Sequence, residues 1–274
     1  MRRLLVVAVV LAIFASPAFA YRDKKVQDAA DKAAALLQKG RSEDAIALLR
    51  KTVAALPSSA EAHLALGRLQ LRTSLAEEAA ASFAKARELG GQDADVLVPV
   101  ALFLLTAGPA ADALAPAESA VALGATPDAL ATLAFVQLRA NDPAKAQETA
   151  DKALAASPAC ALAHAVRGGI ALAKGQTADA AGAYRKALEL DPQLTAARIG
   201  LAEALAAEGR YEDALAEAHR AAADTASGHA LALEGLLMLG GRTADPKWSE
   251  AIGLGQEGAV RSPRETQVLR PRSR

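Results

Sequence analysis

Apolar residues recur at helical spacing in runs on either side of a short turn, as in Leu64, Leu66, Leu69 and Leu71 followed by Ala79, Phe83 and Ala86. Residues three and four apart share one face of a helix, so the pattern predicts a helix, a tight turn and a second helix. Glycine or a turn-tolerant substitute marks the turn at Gly40, Ser74, Gly108, Asn141, Gly175 and Gly209, at spacings of 33 or 34 residues. Alanine stands five residues after each, at Ala45, Ala79, Ala113, Ala146, Ala180 and Ala214. Seven residues further come Thr52, Ala86, Ala120, Ala153, Ala187 and Ala221. Three columns with one period define a repeated unit.

Each part of the unit has a physical reason. Glycine or asparagine in the turn supplies the left-handed backbone that ends a helix. The pairs Asp142-Pro143, Asp191-Pro192 and Asp245-Pro246 read as helix starts, with Asp as the cap and Pro in the first turn. Pro57, Pro158 and Pro192 close units one, four and five. Alanine between the helices lets two backbones approach, while Leu49, Phe83 or Tyr184 fills the space beside the contact.

These units resemble tetratricopeptide repeats. The clearest is AVRGGIALAKGQTADAAGAYRKALELDP, residues 165 to 192, where Gly168, Gly175, Ala180, Tyr184, Ala187 and Pro192 fit the family pattern. ALGRLQL followed by AEEAAASFAKARELG in the second unit and GRYEDALAEAHRA in the sixth are similar. The resemblance implies an all-α, right-handed α-solenoid of about six helix-turn-helix repeats over 21–228, near 26–59, 60–93, 94–126, 127–160, 161–194 and 195–228. A C-terminal capping helix pair is expected over 229–260, because terminal repeats cap the stack. Two departures stand out. The family's tryptophan near the start of each unit is missing, and unit three carries Pro99 and Pro116 inside its predicted helices. A proline there costs about 3 kcal/mol or bends the helix, so unit three is expected to be distorted and is a place where the path of the solenoid can change.

Composition supports an all-helical chain: 52% of residues are apolar, much of that alanine, and 3% are aromatic. Residues 1–20 are a separate object. Arg2 and Arg3 precede an apolar run from Leu4 to Phe14, and Ser16-Pro17-Ala18-Phe19-Ala20 ends in a small-x-small pattern. That is the form of a signal peptide cleaved after Ala20, and the run is shorter than the ~20 residues a bilayer span needs. Export through Sec, to a periplasmic or secreted location, is the expectation. The rest of the chain would carry 29 basic against 31 acidic side chains, a balance that favours neither nucleic acid nor an anionic membrane surface as partner. The final 261–274 reads as a basic, disordered tail, with an electrostatic contact to an acidic surface as the alternative.

Candidate chemistry is sparse. Cys160, the single cysteine, stands four residues before His164 in SPACALAH, a spacing that places a thiol and an imidazole on one helix face. Two ligands fall short of the four a zinc site takes. His63 and His164 hold the same place in units two and five, which favours packing. The acidic pairs Glu43-Asp44, Glu77-Glu78 and Glu212-Asp213 fall at starts of second helices, as capping and the helix dipole require. HExxH, GxSxG and phosphate-loop motifs are missing. The reading is of a non-catalytic chain with no cofactor and no metal.

The resemblance then places function on the concave side, lined by the first helices of the pairs, where the family holds a peptide or a partner's helix. The candidate groove residues are Leu64, Arg68, Leu71 and Arg72 in unit two, Val98, Leu102 and Leu105 in unit three, and Asp128, Phe135, Leu138 and Arg139 in unit four. An apolar groove with a few arginines suits an apolar segment or amphipathic helix. The expected function is a protein-protein interaction scaffold within an envelope-associated complex. The alternatives are a chaperone-like holder of apolar segments, or an oligomer stacking through its terminal repeats.

Overall fold

A computed structural model describes residues 21–73 and 75–225 together with Leu233. Among them run twelve helices in six hairpins. The first three hairpins are α1 (Lys24–Gln38) with α2 (Ser42–Ala55), α3 (Ala60–Arg72) with α4 (Ala76–Gly90), and α5 (Ala94–Ala107) with α6 (Ala111–Leu123). The next three are α7 (Pro127–Arg139) with α8 (Pro143–Ala156), α9 (Ala161–Ala173) with α10 (Thr177–Leu190), and α11 (Thr195–Ala207) with α12 (Tyr211–Thr225). The chain is an all-α solenoid of about six repeats. Successive first helices pack directly on one another, from α1 on α3 to α9 on α11, and no comparable contact joins successive second helices among the described residues. The first helices therefore follow the shorter, inner path of the array.

The alanine columns are the seams of the hairpins. Ala45, Ala79, Ala113, Ala146, Ala180 and Ala214 are all 0% exposed, and so are Ala86, Ala120, Ala153, Ala187 and Ala221. Thr52, the one polar member, is half-buried and its hydroxyl donates to the Leu48 carbonyl at 3.0 Å.

Side-chain sizes are matched across five of the six hairpins, the first having Ala33 with Leu49 at the corresponding places. Phe83 on α4 lies against Gly67 on α3, where an added Cβ would stand 3.0 Å from the ring. Tyr184 on α10 lies against Gly168 on α9 in the same way, at 2.9 Å. In hairpins three, four and six the corresponding pairs are Ala101 with Ala117, Ala134 with Ala150, and Ala202 with Ala218, every one 0% exposed. Large meets glycine and small meets alanine, which keeps the packed volume nearly constant. Two contacts cross repeat boundaries: Phe83 stacks on Phe103 of α5, with ring centroids 4.3 Å apart and planes 6° from parallel, and Tyr184 also fills the space a side chain at Gly200 of α11 would need.

The turn of the third repeat differs from those of the first, fourth, fifth and sixth. Gly40, Asn141, Gly175 and Gly209 take φ of 73°, 66°, 74° and 79°, the left-handed conformation expected of them. Gly108 does not. Its φ of −155° and ψ of −164° are extended, because Pro109 follows and pushes the preceding residue away from helical values. The distortion of repeat three thus lies in its turn, while α5 and α6 run through Pro99 and Pro116 as single helices. Each proline is the sixth residue of its helix and removes one N–H, the partner of the Asp95 or Asp112 carbonyl.

Asp142 caps α8 as expected, accepting the Lys145 N–H at 3.1 Å. Asp191-Pro192 is corrected. Asp191 ends α10 and accepts the Gln193 N–H at 2.9 Å, and α11 begins later, at Thr195. The three closing prolines share a device. His63 Nε2 reaches the Pro57 carbonyl at 3.2 Å, His164 Nε2 reaches that of Pro158 at 2.9 Å, and Arg198 donates to that of Pro192. In each case a side chain six residues on ties the link to the next first helix.

The expected leader over 1–20, the tail over 261–274 and the capping pair over 229–260, Leu233 apart, lie outside the described residues. Leu233 is helical and 4% exposed, in a core cluster with Ala214 and Ala221.

Candidate functional site

The inner path is built from residues whose sides are nearly all covered. From Leu64 to Leu71 every residue of α3 is buried, and so is every residue of α7 from Ala129 to Gln137. Alanine and glycine bring neighbouring helices so close that an inner face has little room to open.

The proposed groove residues divide accordingly. Leu64 at 1% exposed, Leu71 at 6%, Val98 at 7%, Leu102 at 2% and Leu105 at 1% belong to the main core cluster, with Phe135 at its margin. The apolar floor of the groove is core. Arg72 and Asp128 are exposed, and Leu138 and Arg139 half-buried. These four lie at helix ends, Arg72, Leu138 and Arg139 where α3 and α7 finish and Asp128 where α7 begins.

Arg68 is buried for a local reason: the segment Tyr21 to Asp23 lies over it. Arg68 Nη1 donates to the Tyr21 hydroxyl at 3.3 Å and its guanidinium carbon stands 5.9 Å from the ring centroid, within cation–π range. The same segment donates its Arg22 and Asp23 backbone N–H groups to the Glu61 carboxylate, at 3.1 and 2.9 Å. Arg22 then spans to α5, bonding both oxygens of Asp93 at 3.1 and 3.2 Å and also meeting Asp95. Glu61 and Asp95 stand in the first turns of α3 and α5, where a carboxylate favours the helix dipole. They also hold the N-terminal segment. Asp93, Tyr21 and Arg22 escaped the sequence reading because they lie in a loop and ahead of the first repeat unit.

The charges at this edge are uneven. Asp128 keeps exposed area, yet the protein atoms around its carboxyl strip part of its water and push it above the usual carboxylate range, and Asp95 nearby adds to the effect. Arg72 keeps exposed area, yet crowding protein atoms and then Arg68 draw its guanidinium below the usual value. On α10, burial drives the Tyr184 hydroxyl far above the phenol range, with Glu203 raising it further and Arg139 opposing.

Cys160 and His164 are separately engaged. Cys160 is 6% exposed, its thiol 3.8 Å from the Pro127 carbonyl, and burial raises its pKa. The His164 ring is turned to Pro158. Among the described residues no group of three or more His, Cys, Asp or Glu is placed to hold a metal ion.

Models described as tetratricopeptide repeat match residues 30–94, 131–195 and 171–237. Among curated proteins none matches. Solved structures share the fold at low identity. The Cut9-Hcn1 assembly of APC/C is 18% identical with a TM-score of 0.58, over 77% of this chain and 42% of that one. PilW, a type IV pilus biogenesis factor, is 16% identical with a TM-score of 0.55, over 77% of this chain and 99% of that one. A thermophilic TPR protein of Thermus thermophilus is 20% identical with a TM-score of 0.54, over 66% of this chain and 99% of that one. The chain thus spans less than half the length of the Cut9-Hcn1 chain it matches. With its repeats, its solenoid and its alanine seams, this chain belongs to the tetratricopeptide repeat family.

Proposed function

We propose that the chain is an exported, non-catalytic scaffold that binds one protein partner in the bacterial periplasm or cell envelope, along the edges of its first helices. The family's fold is a protein-protein interaction scaffold. The observation that carries the finer reading is that Arg72, Asp128, Leu138 and Arg139 stay accessible at the ends of α3 and α7 while the apolar residues between them are sealed. A partner segment with charges of both signs fits such a rim better than a bare apolar helix does. This favours a scaffold over a holder of apolar clients, since Leu89 and Leu123 are the large apolar side chains left exposed among the described residues. Both lie on second helices. The location rests on Arg2-Arg3, the apolar run Leu4 to Phe14 and the Ala18-Phe19-Ala20 pattern, and no described helix is long and apolar enough to cross a membrane.

The test is a pull-down from envelope extract with wild type and the Arg72→Glu, Arg139→Glu double variant. One stoichiometric partner, lost in a variant that keeps its helical spectrum, is the expected result. An unchanged partner set would place binding on another surface.

A further inference from the structure

We propose that Tyr21 is built to be the first residue of the mature chain, and that removal of residues 1–20 leaves an α-ammonium which the first two repeats hold, so that processing tightens the N-terminal end of the array. The proposal rests on the reading of residues 1–20 as a cleaved leader. Three observations converge on it. The small-x-small pattern ends at Ala20, and the residue after it is already seated.

The seat is made for a positive nitrogen. Tyr21 N lies 2.7 Å from Gln27 Oε1, and Gln27 Nε2 donates to Asp31 Oδ1 at 2.8 Å. Gln27 thereby passes the pull of a carboxylate to the Tyr21 nitrogen. Glu61 receives the next two backbone N–H groups, so a second carboxylate lies beside the same stretch of chain. At the other end of the residue, burial raises the Tyr21 hydroxyl above the phenol range, Arg68 opposes this, and the charges of Glu61 and Asp31 add to it.

Arg22 fixes the following residue to Asp93 and Asp95 of the third repeat. Two residues thus join three repeats. As a peptide nitrogen, Tyr21 N offers one hydrogen bond. As an ammonium it keeps that bond, gains two further donors and carries a full charge that is linked to Asp31 through Gln27 and lies one residue from the N–H bound by Glu61. A charge-assisted bond of this kind is about twice as strong as a neutral one.

The sign of the pH effect follows. A free α-amine titrates near 7.7 to 8.0. In the folded chain the Gln27 oxygen and the Asp31 and Glu61 carboxylates favour the charged form of the amine, while Arg68 and Arg22 oppose them and Asp23, Asp93 and Asp95 offset Arg22. Stabilisation by the ammonium is therefore complete below the ordinary value and is lost as pH rises through the folded one.

The experiment compares two full mature chains, one beginning with a free Tyr21 amine and one acetylated on that nitrogen. At pH 6.5 the free-amine chain is expected to melt about 2 to 4 °C higher, and the gap should close by pH 10. The gap should also shrink when both chains carry Gln27→Met and Asp31→Asn, which remove the relay to Asp31 and leave Glu61 in place. Equal melting at pH 6.5, or a gap indifferent to pH and to those substitutions, overturns the socket. Intact mass of the exported protein is the separate arm. A start at Tyr21 supports the maturation step, and any other start overturns it whatever the melting curves give.

Discussion

The ring of Tyr184 rests on the bare backbone of Gly168, so close that a methyl group on Gly168 would stand 2.9 Å from it. In an ordinary helix interior, replacing glycine by alanine stabilises by about 1 kcal/mol. Here overpacking opposes that gain with a cost of about 1 to 3 kcal/mol. Gly168→Ala is expected to be neutral to destabilising, whereas Gly182→Ala on the same hairpin, where an added Cβ meets nothing within 4 Å, should stabilise by about 1 kcal/mol. Denaturant melts would show a gain for Gly182→Ala and none or a loss for Gly168→Ala, and two equal gains would refute the size-matching account.

Leu102 and Arg139 are expected to separate folding from binding. Leu102 is 2% exposed in the core, so Leu102→Glu buries an unpaired charge and should cost several kcal/mol, on the order of 3 to 5. Arg139→Glu should leave the melting curve within about 1 kcal/mol of wild type and weaken partner capture. Circular dichroism melts beside a pull-down would read both.

Asp128 gives a pH test. Its carboxyl titrates above its unfolded value because of burial first and Asp95 second, so its charged form weakens the fold at neutral pH. That penalty fades as pH falls through the folded pKa toward the unfolded one. Asp128→Asn should therefore raise the melting temperature at pH 7 and lose that advantage near pH 4. A larger advantage at low pH would contradict the assignment.

Cys160 should be silent in the native protein. With 6% exposure and a pKa raised by burial, it offers little thiolate to a reagent. A thiol-reactive chromophore should label it slowly at pH 7.5 and rapidly in 6 M guanidinium. Fast native labelling would mean that the link between α8 and α9 opens readily.

The fold was readable because its period is written in residues that touch. Ala45 through Ala214 recur where the helices meet, and each is sealed in the structure. The binding face was less readable. Helical periodicity marks which residues share a side, and on α3, α5 and α7 nearly every side is covered, so Leu64 and Leu105 carry the same signal as true groove residues would. Arg68 could not be placed from its own helix, because what buries it is Tyr21, 47 residues away in sequence. A basic residue at Arg22 facing carboxylates at Glu61, Asp93 and Asp95 was the available hint, hidden by the dipole explanation that those acids also satisfy.

The contact of Tyr184 with Gly200 bears on how an array of this kind can change length. At the place of Gly200 the other first helices from repeat two onward carry Ala65, Pro99, Thr132 and Val166. A duplication that set any of these repeats after the fifth would drive a side chain into the tyrosine ring. Any repeat that follows the fifth therefore needs glycine at this place, while the alanine-matched third and fourth hairpins carry no such ring. Growth and shortening of the solenoid are confined to particular joints, and the tyrosine marks one that is closed.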